Sequence, residues 1–181
     1  MPHGIYVQIS VLAAFAVVAM VSVTAQAPVW AHDGTHSAQK NVASPVRGKP
    51  WDFTLPTLDG SRFVQASSFE GPVLVNFWGR DCGPCITELP RLQAFAQAHP
   101  QWTVLLVSTD STAQAQEFVQ RHKLMLTVLR PGANVSALMR SAGNRSGGLP
   151  FSVTLRNGRV CESRTGELAD SDLTDMVLSC R

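Results

Sequence analysis

Residues 73–90 read V-L-V-N-F-W-G-R-D-C-G-P-C-I-T-E-L-P, and the fold prediction starts from this stretch. The run Val73 to Trp78 is almost wholly apolar, which is typical of a strand buried on both faces of a sheet. From Cys82 onward apolar residues recur at helical spacing, and Pro84 suits a first helical turn, where its missing N–H would be unpaired anyway. We therefore predict a buried strand, a short turn, and a helix that begins at a pair of cysteines.

The spacing of Cys82 and Cys85 favours redox chemistry. A thiol reacts as its thiolate, which the unpaired N–H groups and the dipole of a helix N-terminus stabilise. Cys85 follows on the first turn, where it could act as the resolving thiol. A structural disulfide across so short a loop would gain little from chain entropy. A zinc site would need two more ligands, and the sequence has no second C-x-x-C motif or nearby His pair.

The beginning of the chain predicts export. The run Ile9 to Val23 is apolar or small, and no charged side chain precedes Asp33. At about 15 residues this run is shorter than the roughly 20 that span a bilayer. We expect residues 1–31 to be a signal peptide cleaved after Ala31. An uncleaved membrane anchor is the alternative, because no Lys or Arg precedes the apolar run.

We predict a flexible leader over residues 32–49 and one domain over residues 50–181. The leader is polar and has no hydrophobic period. Its His32, Asp33 and His36 are interpreted as solvated, so we expect neither a metal nor a cofactor. The net charge of +2 without a basic tract argues against a nucleic-acid partner. All four cysteines follow the predicted cleavage point, in a compartment where disulfides persist.

The hydrophobic pattern of the domain predicts a mixed sheet with helices on both faces. A hairpin is expected around the Asp59-Gly60 turn, and a second one at Asn157-Gly158, a pair typical of two-residue turns. Further strands are expected near 104–108, 125–129, 151–155 and 159–163. Further helices are expected over 111–122, 134–141 and 171–180.

Two stretches of the sequence resemble the thioredoxin fold. One is the motif N-F-W-x-x-x-C-G-P-C, which contains Trp78, and the other is the triplet Gly148-Leu149-Pro150 before the strand F-S-V-T-L. The early hairpin, Glu88 and the stretch V-S-T-D-S-T-A-Q-A-Q-E-F-V are similar to the exported TlpA, ResA and DsbE type of thiol-disulfide oxidoreductase. The resemblance covers about residues 47–179. It implies an α/β thioredoxin fold with an N-terminal β-hairpin extension and a central insert.

The resemblance also implies roles for single residues. Cys82 would attack the disulfide of a client protein, and Cys85 would resolve the mixed disulfide. Pro150 would be the cis-proline beside the active site, with Leu149 offering its backbone to an extended client. Glu88 would exchange protons with the cysteine pair.

Two further positions bear on that chemistry. Asn76 stands where ordinary thioredoxins carry a buried Asp, so Glu88 would take over proton exchange. Trp78 would be a supporting residue of the motif. Asp81 stands where family members usually have an aromatic residue. A carboxylate there disfavours the neighbouring thiolate and Arg80 favours it, so the net effect depends on which side chain faces the sulfur.

Cys161 and Cys180 form the second cysteine pair considered. A closing helix that runs back along the last strand would bring them together. A disulfide closing about 20 residues would stabilise the fold by roughly 3 kcal/mol on the chain-entropy model. Two free thiols and a second redox pair are the alternatives.

The leading hypothesis is a periplasmic or otherwise extracytoplasmic enzyme, free or tethered to the membrane, that reduces disulfides of specific protein clients. A membrane electron donor would re-reduce it, and the resemblance suggests cytochrome c maturation or copper-oxidase assembly as the process served. A disulfide oxidase or isomerase is an alternative. A Cu(I)-binding chaperone is another, since thiolates select that ion. A peroxidase is disfavoured, because F-W-G-R-D-C lacks the Pro and Thr that precede a peroxidatic cysteine.

Overall fold

Strand β3, Val73–Trp78, lies at the centre of the structure, and all six of its residues are buried. A computed structural model describes residues 46–181. The twelve elements, in chain order, are β1 Thr54–Pro56, β2 Phe63–Gln65, a 3-10 helix Ala66–Ser68, β3, α1 Gly83–Ala98, β4 Thr103–Ser108, α2 Thr112–His122, β5 Thr127–Leu129, α3 Val135–Ser141, β6 Phe151–Arg156, β7 Arg159–Thr165 and α4 Asp170–Ser179.

Five strands form one sheet in the order β5-β4-β3-β6-β7. The pairs β3–β4 and β4–β5 are parallel, whereas β3–β6 and β6–β7 are antiparallel. Strands β1 and β2 form a separate antiparallel hairpin. The predicted thioredoxin fold is confirmed: α2 and β5 are the central insert, and the early hairpin is the N-terminal extension.

The side chains of β3 alternate between two hydrophobic layers, as the two-residue period of a strand requires. Val73, Val75 and Phe77 pack into the layer that contains the early hairpin and α3. Leu74 and Trp78 face the opposite layer, beneath α1, α2 and α4. Asn76 has the same parity, so the strand directs its polar side chain toward α1.

Strand β5 is shorter than the sequence pattern predicts. It begins at Thr127 rather than Met125. The backbone N–H of Met125 donates to the side chain of Gln93, 2.8 Å away, instead of to a neighbouring strand. Met125 is 86% exposed, so this apolar residue does not belong to a buried strand.

The ordered domain begins before the expected boundary at residue 50. Val46 is buried in the core. The N–H of Gly48 donates to the carbonyl of Val160 at 2.7 Å, and the N–H of Val160 donates to the carbonyl of Lys49 at 3.0 Å. Residues 46–49 therefore belong to the packed domain, because they hydrogen-bond to the start of β7. The expectations for residues 1–31 and 32–45 lie outside the described residues.

The Asn157-Gly158 hairpin has the expected geometry. Both residues have positive φ angles, 51° and 68°, as a type I′ hairpin turn requires. Among the helices of residues 46–181, none is long and apolar enough to cross a membrane.

Candidate active site

Cys82 and Cys85 lie where the chain leaves β3 and enters α1. Cys82 is the N-cap residue of α1, and its sulfur accepts a hydrogen bond from the backbone N–H of Cys85 at 3.2 Å. The two sulfurs form a disulfide. Cys85 is fully buried, whereas Cys82 is partly exposed. Cys82 is therefore the more accessible of the two residues, and its place at a helix N-terminus would stabilise a thiolate there.

Glu88 lies one helical turn beyond Cys85 and is fully buried. One carboxylate oxygen, Oε1, accepts from the side-chain amide of Asn76 at 2.6 Å. The other, Oε2, accepts from the backbone N–H of Leu168 at 2.9 Å. The carboxylate thus bridges the central strand and the segment before α4.

Opposing effects act on the proton affinity of Glu88. Burial, the largest, raises the pKa of its carboxyl above the ordinary value, and the charge of Glu167 acts in the same direction. The hydrogen bonds from Leu168 and Asn76, and the charge of Arg91, lower it. The net direction is upward. A carboxyl of this kind changes protonation closer to neutral pH than a surface glutamate, which suits a proton acceptor.

The segment before β6 borders the reactive turn. The Leu149–Pro150 peptide bond is cis. A Cβ placed on Gly79, in the turn between β3 and α1, would lie 3.7 Å from a Leu149 methyl group and 3.0 Å from the Thr109 hydroxyl. The turn therefore borders the segment that contains Pro150 at ordinary contact distance, whereas the tight approach that favours glycine here is to Thr109.

Trp78 is the last residue of β3, and its carbonyl accepts hydrogen bonds from the backbone N–H and the hydroxyl of Thr109. It is fully buried, and its ring centroid lies 4.9 Å from that of Phe118 on α2. Within residues 46–181 its indole N–H has no hydrogen-bond partner. Its position is that of a core residue that packs β3 against α2.

Arg80 and Asp81 lie in the turn between β3 and α1. The two side chains pair with each other at 3.5 Å, and Asp81 is 86% exposed. They line a pocket of about 360 Å³ that also contains Glu117 and Arg121 of α2. Because Asp81 is exposed and pairs with the partly buried Arg80, solvent and this pairing weaken the effect of its carboxylate on a thiolate at Cys82.

Asp110 and Ser152, two residues near the cysteines and Glu88, were not predicted from the sequence. Asp110 accepts from the backbone N–H of Arg80 at 2.8 Å and so fixes the reactive turn. Its position just after a buried parallel strand was a usable signal, because the carboxyl ends of β3 and β4 meet at one edge of the sheet. Ser152 accepts from the Asn76 amide at 2.9 Å. The signal for Ser152 was a polar residue within an apolar strand.

The remaining cysteines, Cys161 on β7 and Cys180 at the C-cap of α4, are bonded to each other, with Cα atoms 5.1 Å apart. Cys180 is buried. Both cysteines belong to the hydrophobic layer beneath α1 and α4. No free thiol occurs in the part of the chain that the structure describes.

Comparison with known proteins places this site in a family. The AhpC/TSA family matches residues 46–140, which include Cys82 and Cys85. The chain belongs to the AhpC/TSA family. The thiol-disulfide oxidoreductase ResA of Halalkalibacterium halodurans is 25% identical over 132 residues, covering 70% of this chain and 72% of ResA.

Two other proteins are similar to this AhpC/TSA family member. A thioredoxin from Alicyclobacillus acidocaldarius is 49% identical over 59 residues, 32% of this chain and 56% of the thioredoxin. A crystal structure from Chlorobium tepidum, assigned as the thiol:disulfide interchange protein DsbE, is 27% identical with a TM-score of 0.61, covering 74% of this chain and 96% of that one. Several curated relatives are thus matched over only about half of their length. The predicted resemblance to the ResA and DsbE type is confirmed.

Proposed function

We propose that the protein is an extracytoplasmic thiol-disulfide oxidoreductase that reduces disulfides of protein clients. The observation that carries the proposal is the asymmetry of the cysteine pair. Cys82 is partly exposed at a helix N-terminus, whereas Cys85 is fully buried behind it, one helical turn from the buried Glu88. Such an arrangement suits a nucleophile that meets the client and a resolving thiol that is shielded from it.

The proposed reaction begins from the reduced dithiol. The Cys82 thiolate attacks one sulfur of the client disulfide, which forms a mixed disulfide and releases the other client sulfur as a thiolate. Glu88 then accepts the proton of Cys85, and the Cys85 thiolate attacks the Cys82 sulfur. The second client sulfur leaves as a thiolate, and the protein is left with the Cys82–Cys85 disulfide. The two client thiolates take up one proton from Glu88 and one from solvent, so the client ends as a dithiol. Two electrons pass to the client, so a donor dithiol must restore the reduced form.

The client would dock beside Leu149 and Pro150, whose segment borders the reactive turn. The relatives support the chemistry, since ResA is named a thiol-disulfide oxidoreductase and the Chlorobium protein an interchange protein. We further propose that the protein is exported, either free or tethered to the membrane, and that a membrane donor re-reduces it. Cytochrome c maturation and copper-oxidase assembly are the processes that we would examine first.

Reduction of insulin by the dithiol-regenerated protein tests the proposal. We expect the wild-type chain and a Cys161→Ala/Cys180→Ala variant to reduce insulin, and Cys82→Ser to abolish the reaction. Cys85→Ser should accumulate a mixed disulfide that peptide mapping locates at Cys82. A linkage through another cysteine, or full activity of Cys82→Ser, would refute the assigned roles.

The direction of electron flow is tested by the redox potential of the Cys82–Cys85 pair. Equilibration with glutathione or dithiothreitol buffers, followed by thiol alkylation, measures it. We expect a value nearer the roughly −270 mV of thioredoxin than the roughly −120 mV of a strong oxidant such as DsbA. A value near the latter would favour the disulfide oxidase alternative.

A further inference from the structure

Ser152 is a buried hydroxyl that the proposed reaction does not use. It lies on β6, two residues after Pro150, and pairs in register with Asn76 on β3. Both side chains are fully buried. The Asn76 amide nitrogen donates to the Ser152 hydroxyl oxygen at 2.9 Å and to the Glu88 carboxylate at 2.6 Å. A single amide group therefore connects β6 to the carboxylate behind the cysteines.

Both N–H groups of the Asn76 amide are engaged in this arrangement. The amide oxygen, by contrast, has no hydrogen-bond partner among residues 46–181. A buried carbonyl without a donor is costly. The amide keeps this orientation because its two N–H groups have acceptors, Ser152 on one side and Glu88 on the other. Rotation of the amide by half a turn would place its oxygen against the Glu88 carboxyl group. An ionised carboxylate would repel that oxygen, whereas a protonated carboxyl group could donate a hydrogen bond to it.

We propose that Ser152 is a positioning residue for Glu88, which accepts one N–H of the Asn76 amide and thereby keeps the other directed at the Glu88 carboxylate. The inference rests on the proposed function, in which Glu88 exchanges protons with Cys85. It assigns to Ser152 no contact with client or cysteine. Its effect passes entirely through Asn76.

The other groups that face Glu88 are accounted for. From its own helix come Cys85, which is bonded to Cys82, and the Arg91 guanidinium. From the segment before α4 come the Leu168 N–H and the Glu167 carboxylate. Arg91 also donates to the Leu168 carbonyl, which holds that segment against α1 independently of β6. A substitution at Ser152 therefore leaves these influences in place and alters only the amide.

Ser152→Ala leaves one amide N–H of Asn76 buried without an acceptor, which weakens the orientation that favours the ionised Glu88. We expect the pKa of Glu88 to rise by about half a unit to one unit, a roughly three- to tenfold higher proton affinity. Ser152→Thr keeps a hydroxyl and should leave the pKa within about 0.2 of wild type. The matched control is Thr154→Val, which removes another buried hydroxyl from the same face of β6.

The measurement is a carbon-13 NMR titration of the Glu88 carboxyl in the oxidised protein, where Cys85 does not titrate. In an Asn76→Ala background, Ser152→Ala should produce no further rise, because the connecting amide is gone. An unchanged pKa in Ser152→Ala, or an equal rise in both backgrounds, would overturn the inference. The titration requires no client, so its result does not depend on whether the protein reduces insulin.

Discussion

Removal of the Cys161–Cys180 disulfide should destabilise the fold without altering its native contacts. The perturbation is Cys161→Ala/Cys180→Ala in a Cys82→Ser/Cys85→Ser background, where thiol exchange is impossible. The bonded residues are 19 positions apart. A bond across such a loop restricts the unfolded chain by roughly 3 kcal/mol on the chain-entropy model.

The structure indicates that α4 keeps its place when the bond is removed. Leu173 and Met176 bury the inner face of the helix. On its outer face, Arg164 of β7 pairs with Asp172 and, at 3.3 Å, with Asp175. Because these contacts persist, we expect the loss of free energy to arise mainly in the unfolded state.

Urea unfolding followed by tryptophan fluorescence measures the loss, with the buried Trp51, Trp78 and Trp102 as reporters. We expect the free energy of unfolding to fall by about 3 kcal/mol relative to the parent variant. A loss below about 1 kcal/mol would refute a stabilising role for the bond. Ready reduction of the wild-type Cys161–Cys180 bond by glutathione, seen by peptide mapping, would instead favour a second redox pair.

Two further substitutions test the site. The first is Glu88→Gln, compared with wild type by melting temperature between pH 4 and 7. We expect wild type to lose stability relative to the variant as pH rises from about 4.5 through the raised pKa of Glu88. The loss arises because the folded wild-type protein then holds a buried charge. A difference that is constant or opposite in slope would contradict the raised pKa. For Gly79→Ala, the added Cβ would lie 3.0 Å from the Thr109 hydroxyl. Displacement of the turn should slow insulin reduction by about tenfold or more, with a stability loss of only about 1 kcal/mol; unchanged kinetics would show that the turn tolerates a side chain.

The hydrophobic periods and turn residues were sufficient to predict most elements of the domain, because those signals are local. The apolar run of β3, the cysteines at the start of α1 and the Asn157-Gly158 turn each encode their conformation within a few residues. Errors arose where a distant partner decided the outcome. The backbone N–H of Met125 donates a hydrogen bond to Gln93 rather than to a strand. Residues 46–49 belong to the packed domain because they hydrogen-bond to β7.

In the candidate site too, features that depend on local sequence could be predicted, whereas those that depend on distant segments could not. Sequence alone determined a dithiol at a strand–helix junction and a carboxyl group two helical turns from its first cysteine, since both follow from spacing along one helix. Only the tertiary structure decided what surrounds that carboxyl group. Asn76, Ser152 and the Leu168 N–H come from three segments far apart in the chain. Their meeting depends on the register of β3 with β6 and on the packing of α4, and it is the resulting burial that raises the pKa of Glu88.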